Sequence, residues 1–286
     1  MSHGDDAFDM RAAPMRIGRV RLRVRDLAAV ARFYRDVIGL AVLQQGEGSM
    51  LLGTVSAPLL ELVGDPSLRP RDGRGAGLFH VAFLLPGRAD LGRWLAFAGA
   101  HGVALHGASE HRVSEALYLA DPEGNGIEIY ADHPTPRWRG ADGAIRMTTD
   151  PLDLRDLLAA AGDAPWAGFP RDGCIGHVHL QVGDAAEASR FYGDVLGLEP
   201  TFRMPGARFF GSGGYHHQVA VNEWNSRGAG RRPGNAAGLD AFEVIVREDD
   251  RRKAILARAA EAGAPVSNGV RAPAVSDPWG IAIEFS

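Results

Sequence analysis

The hydrophobic pattern of this chain describes one structural unit that recurs along the sequence. Apolar and polar residues alternate in 20–24 and again in 178–182, which predicts a half-buried strand in each place. Asp26 and Asp184 follow these strands, where an aspartate can cap the first turn of a helix. Each unit is therefore predicted to begin with a strand followed by a helix.

The rest of each unit is predicted from its turn residues. Gly39 and Gly197 follow the predicted helices, where a glycine can adopt the left-handed conformation of a C-terminal cap. Short apolar segments then alternate with turns rich in Gly, Pro and Asp, such as residues 121–126. This pattern predicts a three-stranded meander after the helix, so that each unit is a βαβββ module.

The modules are related by internal repetition of the sequence. Residues 17–40 match 175–198 at constant spacing, and the two ends of 77–129 match those of 238–285. Self-similarity over such lengths indicates a supersecondary unit that is used several times. We therefore predict an α+β fold in which four βαβββ modules form two half-open barrels.

The repeat also divides the chain into segments. We predict a flexible tail at 1–15, an N-terminal domain of two modules at 16–131, a linker with a short helix at 132–173, and a C-terminal domain of two modules at 174–286. The linker is expected to lie over a sheet edge or the mouth of a site.

Composition narrows the class of protein. The chain has 286 residues, of which 45% are hydrophobic and 23% are charged, and its net charge is −4. Its arginines form no basic stripe, so we do not expect a nucleic-acid partner, and no apolar run is long enough to cross a membrane. Cys174 is the single cysteine, which excludes an internal disulfide and favours a cytoplasmic location. A homo-oligomer is compatible with these properties.

Residues suited to metal binding are concentrated in the second and third modules. His80, Glu128 and His177 lie on predicted strands and supply two imidazoles and one carboxylate, the set associated with non-haem Fe(II). Modules one and four have Arg19 and Ala241 at the positions of the two histidines. We therefore expect modules two and three to face each other and to hold Fe(II), or alternatively Mn(II), between these three ligands.

Other polar residues are expected near the same place. Tyr118 lies four residues before Pro122, and Ala274 occupies the equivalent position in module four. Strand alternation places His217 inside the barrel and its neighbour on the other face. The further candidates for lining the pocket or supporting the ligands are His179, His111, Ser114 and His216.

The Phe-Tyr-x-Asp-Val-x-Gly-Leu runs at 33–40 and 191–198 resemble the vicinal oxygen chelate superfamily. Residues 114–128 and the Gly-Gly-Tyr-His-His run at 213–217 are similar to bacillus-type catechol 2,3-dioxygenases. The resemblance implies an extradiol dioxygenase that opens a catechol at the 2,3 position with Fe(II) and dioxygen to give a muconic semialdehyde. It also implies that His217 is the acid/base and that Tyr118 hydrogen-bonds the substrate.

The sequence is also compatible with other functions. The same superfamily contains metal-dependent lyases and transferases of the glyoxalase and fosfomycin-resistance type, and non-catalytic proteins of the bleomycin-resistance type that sequester small molecules. A rival ligand set of His177, His217 and Glu284 follows from pairing modules three and four. That set leaves the polar residues of module two unexplained.

Overall fold

The computed structural model describes residues 7–286 and contains the four modules in the predicted order. Module one comprises β1 (Met15–Val24), α1 (Leu27–Phe33), β2 (Ala41–Gly46), β3 (Ser49–Gly53) and β4 (Pro58–Gly64). Module two comprises β5 (Gly77–Leu85), α2 (Arg88–Ala100), β6 (Gly107–Glu110), β7 (Ser114–Ala120) and β8 (Gly126–Asp132).

A linker segment and two further modules complete the chain. The linker contains β9 (Asp150–Pro151) and α3 (Leu154–Ala159). Module three comprises β10 (Cys174–Gln181), α4 (Ala185–Ser189), β11 (Glu199–Met204), β12 (Ala207–Gly211) and β13 (Val219–Asn222). Module four comprises β14 (Gly238–Val246), α5 (Asp249–Glu261), β15 (Val266–Ser267), β16 (Ala274–Ser276) and β17 (Ala282–Phe285).

The modules pair into two curled sheets, which confirms the α+β fold of two half-open barrels. The outer sheet, from modules one and four, has the strand order β15-β16-β17-β14-β1-β4-β3-β2. The inner sheet, from modules two and three, has the order β11-β12-β13-β10-β5-β8-β7-β6-β9. This is the pairing expected from the distribution of candidate ligands. Each sheet contains strands from both 16–131 and 174–286, so these ranges describe the sequence repeat and not the sheets.

Local signals in the sequence explain where the helices begin and end. The Asp26 carboxylate accepts a hydrogen bond from the backbone N–H of Ala29 at 2.9 Å, and Asp184 accepts one from Glu187 at 2.8 Å. These are the N-terminal caps predicted from the two aspartates. Gly39 adopts a φ of 86°, a left-handed conformation that a residue with a Cβ disfavours.

Parts of the segments outside the modules pack against the sheets. Of the tail predicted to be flexible, residues 1–6 lie outside the described residues. The Phe8 ring lies 4.9 Å from that of Tyr215, centroid to centroid, and Met10 and Ala13 are buried. Burial of these apolar side chains opposes the chain entropy that would keep residues 8–13 loose. In the linker, Asp153 caps α3, and Met147 lies over the concave face of the inner sheet.

Within residues 7–286, none of the helices has the length and hydrophobicity required to span a membrane.

Candidate metal centre and substrate pocket

Three central strands of the inner sheet bring His80, Glu128 and His177 together. β5 pairs antiparallel with β10 and parallel with β8, so first-strand and last-strand residues from two modules share one face. His80 Nε2 lies 2.9 Å from Glu128 Oε2, and His177 Nε2 lies 3.3 Å from the same oxygen. The two Nε2 atoms are 3.3 Å apart. The three donor atoms therefore form a nearly equilateral triangle.

The size of this triangle fits a single metal ion. Metal bonds of about 2.1 Å set at right angles would place neighbouring donor atoms ~3 Å apart. Two imidazoles and one carboxylate on one face leave the opposite coordination positions free for other ligands. The Nδ1 atom of His177 is buried and has no hydrogen-bond partner among the described residues, so packing orients its ring. The rings of Tyr130 and His217 lie 5.1 and 4.2 Å away, centroid to centroid.

The charge state of the centre also suits a cation. Burial would raise the pKa of Glu128, but His177 and His80 outweigh burial and hold this pKa well below its usual value. Burial lowers the pKa of His177 to about 4, although Glu128 opposes that shift. At neutral pH the centre therefore offers an anionic carboxylate and a neutral imidazole at His177, the forms that bind metals.

The centre lies at the base of a pocket of about 350 Å³ between the two flanks of the inner sheet. The residues that line this pocket are Phe79, His80, Ser109, His111, Ser114, Tyr118, Glu128, Met147, Thr148, Thr149, His177, His179, Phe202, Met204, Phe209, His217 and Trp224. The pocket therefore combines the three candidate ligands with all but one of the other predicted site residues.

The remaining predicted residue, His216, supports the pocket from behind. It is fully buried, and its Nε2 lies 2.8 Å from Asp132 Oδ1, while its Nδ1 lies 2.8 Å from Nδ1 of His217. A carboxylate can only accept, so His216 carries its proton on Nε2 when its ring is neutral. Nδ1 of His216 then accepts from Nδ1–H of His217. The Nε2 atom of His217 is left as a free proton acceptor.

This chain of hydrogen bonds sets the protonation of His217. Burial lowers the pKa of His217 well below its usual value, and the nearby rings of His177 and His216 lower it further. His217 is therefore neutral, and Asp132 and His216 determine which of its nitrogens is free. An imidazole in this form can take a proton from a hydroxyl group bound in the pocket.

Tyr118 lies on the other side of the pocket and is tied to His111. Nδ1 of His111 lies 2.7 Å from the carbonyl oxygen of Thr148 and must donate to it, because a carbonyl only accepts. With His111 neutral, its Nε2 accepts from the Tyr118 hydroxyl at 2.6 Å. Burial raises the pKa of Tyr118 well above its usual value, and Glu128 raises it further, so the phenol stays protonated. Its oxygen lone pairs can accept from a bound hydroxyl.

His179 and Ser114 complete the predicted set. The side-chain amide of Asn222 donates to Nε2 of His179 at 3.0 Å. Burial lowers the pKa of His179 well below its usual value, and His80 and His177 lower it further. Its ring lies 4.8 Å from that of His80, centroid to centroid, which places it beside the ligands. Ser114 is buried at the start of β7 and lines the pocket.

The structure does not bring the rival ligand set together. Glu284 lies on β17 of the outer sheet, where its carboxylate accepts from Arg21 at 3.2 Å. His177 and His217 line the pocket of the inner sheet. The immediate neighbours of the two glutamates do not distinguish Glu284 from Glu128, because both lie between isoleucine or phenylalanine residues near the end of a module.

A second group of potential ligands is already neutralised by arginines. Oxygen or nitrogen atoms of Glu110, Glu115 and His133 lie within 4.8 Å of one another. Arg88 donates to Glu115 at 2.6 Å, and Arg137 lies 3.3 Å from Glu110. These ion pairs supply the positive charge, so we assign no metal to this group.

Sequence reasoning missed Asp132 and Asn222. Asp132 is the first residue of the predicted linker, yet it has the same strand parity as Glu128 and Tyr130, and this parity is the signal that could identify it. Asn222 is the last residue of β13 and faces His179 across the β10–β13 pair. No sequence feature identified that contact.

Comparisons with known proteins agree with this architecture. The family model described as the Glyoxalase/Bleomycin resistance protein/Dioxygenase superfamily matches residues 16–129 and 174–285. Catechol-2,3-dioxygenase of Bacillus subtilis (strain 168) is 40% identical over 267 residues, which cover 92% of this chain and 93% of that protein. Biphenyl-2,3-diol 1,2-dioxygenase 3 of Rhodococcus globerulus is 29% identical over 161 residues, which cover 54% and 84% of the two proteins.

Solved structures show the same fold at lower sequence identity. Glyoxalase I from Zea mays superposes with a TM-score of 0.58 at 15% identity, and the match covers 96% of this chain and 93% of that one. At this identity the likeness concerns the fold alone. The chain belongs to the glyoxalase/bleomycin resistance protein/dioxygenase superfamily, which is the vicinal oxygen chelate superfamily that its repeat resembles.

Proposed function

We propose that this protein is an extradiol dioxygenase that opens a catechol-type ring at the 2,3 position with Fe(II) and dioxygen to give a muconic semialdehyde. The observation that carries the proposal is the convergence of three donor atoms, a free imidazole nitrogen and a tyrosine hydroxyl in one pocket. The Bacillus subtilis relative named catechol-2,3-dioxygenase supports the same substrate class.

His80, His177 and Glu128 would hold the metal. The chemistry that Fe(II) supplies there is a positive centre that favours an ionised catechol and brings it beside dioxygen. The donor set carries a single negative charge when both imidazoles are neutral, so the ion retains net positive charge. Mn(II) fits the same donors, and metal analysis decides between the two ions.

The protein residues around the metal would move and hold protons. Nε2 of His217 would take the proton of a catechol hydroxyl, because a neutral His216 bound to Asp132 accepts from Nδ1–H of His217 and leaves Nε2 free. The same imidazolium can return the proton later in the reaction. The Tyr118 oxygen would accept from the second hydroxyl while its own proton is held by His111. Together these contacts orient the ring at the metal face.

The lyase, transferase and sequestering alternatives make different use of the pocket. A protein that only sequesters a molecule needs no metal donors, yet three converge here. An isomerase of the glyoxalase type needs the metal but gives no reason for the hydrogen-bond chain that ends at His217. None of these alternatives predicts oxygen consumption with catechol.

One assay tests the proposal directly. The protein is purified without oxygen, loaded with Fe(II), and mixed with catechol in an oxygen electrode. We expect one dioxygen to be consumed per catechol and a yellow semialdehyde to form. A protein that binds iron at one equivalent and consumes no oxygen with any catechol would contradict the proposed function.

A further inference from the structure

The two flanks of the inner-sheet pocket differ in polarity. The flank built from β6, β7 and the linker carries Ser109, His111, Ser114, Tyr118 and Thr148. The opposite flank belongs to β11 and β12, at the other end of the same curled sheet. Because β5, β8 and β10 lie between them, the metal centre faces a polar wall on one side and the β11–β12 wall on the other.

The β11–β12 wall is apolar. Phe209 is 6% exposed and lies 5.1 Å from the His217 ring, centroid to centroid, so the wall begins beside the free imidazole. Phe202, Met204 and Met147 pack against the buried cluster of Ala207, Phe209 and Ala220 and extend the wall outward. Met147 comes from the linker, which therefore contributes to the pocket as well as connecting the modules.

Aromatic rings continue the apolar surface to the mouth of the pocket. Phe79 lies 5.7 Å from Trp224 in an edge-to-face arrangement, and Trp224 also lies 5.8 Å from His179. Trp224 is 48% exposed, while its indole N–H donates to the carbonyl oxygen of Pro205. This indole is held in place although half of it faces solvent.

Among the described residues that line this pocket, none is a lysine or an arginine. A carboxylate on the substrate would therefore meet Phe and Met side chains and no counter-ion. Burying an unpaired charge against such a surface is strongly unfavourable. The pocket is also large for an unsubstituted ring, since an apolar cavity of roughly 150 Å³ already holds benzene, whereas this one measures about 350 Å³.

From these observations we infer that the preferred substrates are uncharged catechols that carry an apolar substituent as large as a second ring, seated against Phe202, Met204 and Phe209. This inference rests on the proposed function and specifies the substrate class of the same site. The diol lies between His217 and Tyr118, and the substituent points to the β11–β12 wall. Met147 and Trp224 cover its outer part.

The first test is a panel of four catechols with the Fe(II)-loaded enzyme. Catechol, 3-methylcatechol, 2,3-dihydroxybiphenyl and 2,3-dihydroxybenzoate differ only in the group next to the diol. We expect kcat/KM to be at least about 10-fold higher for 2,3-dihydroxybiphenyl than for catechol. We expect it to be about 100-fold lower for 2,3-dihydroxybenzoate than for 3-methylcatechol. Equal values for the carboxylated and methylated rings would overturn the inference.

A binding measurement separates this inference from the proposed function. Under nitrogen, the Fe(II) protein cannot turn over, and quenching of tryptophan fluorescence reports Kd for each compound. If 2,3-dihydroxybiphenyl binds most tightly and 2,3-dihydroxybenzoate most weakly, but no oxygen is taken up when air is admitted, the substrate class is supported and the dioxygenase proposal is wrong. If catechol is cleaved and the biphenyl compound is not preferred, the dioxygenase proposal is supported and the substrate class is wrong.

A matched pair of variants places the preference on the wall itself. Met204→Lys adds a cation to the wall, and Met204→Gln makes it polar without a charge. We expect Met204→Lys to raise kcat/KM for 2,3-dihydroxybenzoate at least about 10-fold relative to Met204→Gln. Val42→Ala, on an exposed strand of the outer sheet, should leave kcat/KM unchanged for all four catechols. If Met204→Lys and Met204→Gln have the same kcat/KM for 2,3-dihydroxybenzoate, the substituent does not contact this wall.

Discussion

The inner and outer sheets contain the same sequence of elements, but they neutralise their buried carboxylates differently. Glu128 on β8 and Glu284 on β17 occupy equivalent places beside β5 and β14. Glu128 faces the two Nε2 atoms of His80 and His177. Glu284 instead accepts from the guanidinium of Arg21, which also donates to an aspartate of β14.

The outer sheet supplies its own positive charge. Burial would lower the pKa of Arg21, but the carboxylates of Asp240 and Glu284 raise it. Arg19 stands at the place of His177 and lies 3.3 Å from Glu61. A guanidinium remains charged at any physiological pH, so these carboxylates need no other cation.

The comparison shows what a histidine contributes that an arginine cannot. A neutral imidazole offers a lone pair and brings no charge, so the inner carboxylate still requires a cation and the ring can bind one. An arginine neutralises the carboxylate with its own charge, so no metal ion is needed there. One repeated module therefore provides a metal centre in one barrel and a structural ion pair in the other.

The largest effect is expected from replacing Glu128, the carboxylate of the inner sheet, with alanine. Glu128→Ala should reduce bound iron from about one equivalent to near zero and lower catechol turnover by about 10³-fold or more. Metal analysis after dialysis against Fe(II), together with oxygen uptake, measures both quantities. Glu284→Ala is the matched control and should keep its iron. Iron retained in Glu128→Ala and lost in Glu284→Ala would reverse the roles of the two sheets.

The next largest effect concerns proton transfer, for which the outer sheet has no counterpart. His217→Ala should retain iron and lose about 10²–10⁴-fold in turnover, because the free Nε2 is removed. Steady-state oxygen uptake at saturating catechol measures the loss, and His101→Ala, at the end of α2, is the control. Normal turnover in His217→Ala would exclude it from proton transfer.

Asp132→Asn tests the hydrogen-bond chain behind His217. The amide can donate to His216 and so change which nitrogen of His217 carries the proton. We expect turnover, measured by the same oxygen uptake, to fall by a smaller factor of about 10–100 with iron content unchanged.

The converse test removes a positive charge from the outer sheet. Arg21→Ala leaves Glu284 buried without its guanidinium, and removing one partner of a buried pair costs about 3–5 kcal/mol of unfolding free energy. Urea unfolding of the iron-loaded protein measures the change. The folded variant should still bind one iron. A variant with full stability would mean that Arg21 is not needed to neutralise the outer carboxylates.

The smallest effect is a difference in pH response between the sheets. His177 has a pKa of about 4 when folded and 6.5 when free, so the unfolded chain binds more protons between these values. The metal-free protein should therefore lose stability as the pH falls from 6.5 towards 4, by up to about 1.4 kcal/mol per pH unit for this residue. Urea unfolding after chelation, at several pH values, measures the slope.

His177→Gln should flatten that slope. Asp277 acts in the opposite sense, since burial raises its pKa to about 6, but it is common to both proteins and cancels in their difference. Equal slopes in the two proteins would show that His177 does not titrate in this range. Arg21 of the outer sheet does not titrate there, so it adds no slope.

Much of the fold and of the site could be predicted because the signals are local or repeated. The aspartate caps and the left-handed glycine depend on residues a few positions away. The loss of both histidines from modules one and four is visible because the first strands of the repeated modules align with each other. Parity along a strand placed Glu128 on an inward face, and a buried carboxylate indicates a nearby cation.

The four modules, their order, the pairing of modules two and three and the residue types for a metal centre follow from the sequence alone, since short-range periodicity and internal repetition define them. The contact of Asp132 with His216 and the position of the linker's Met147 at the pocket follow only from the tertiary structure. These contacts join residues far apart in the chain. They form only when whole sheets curl and pack, and local propensity does not determine that packing.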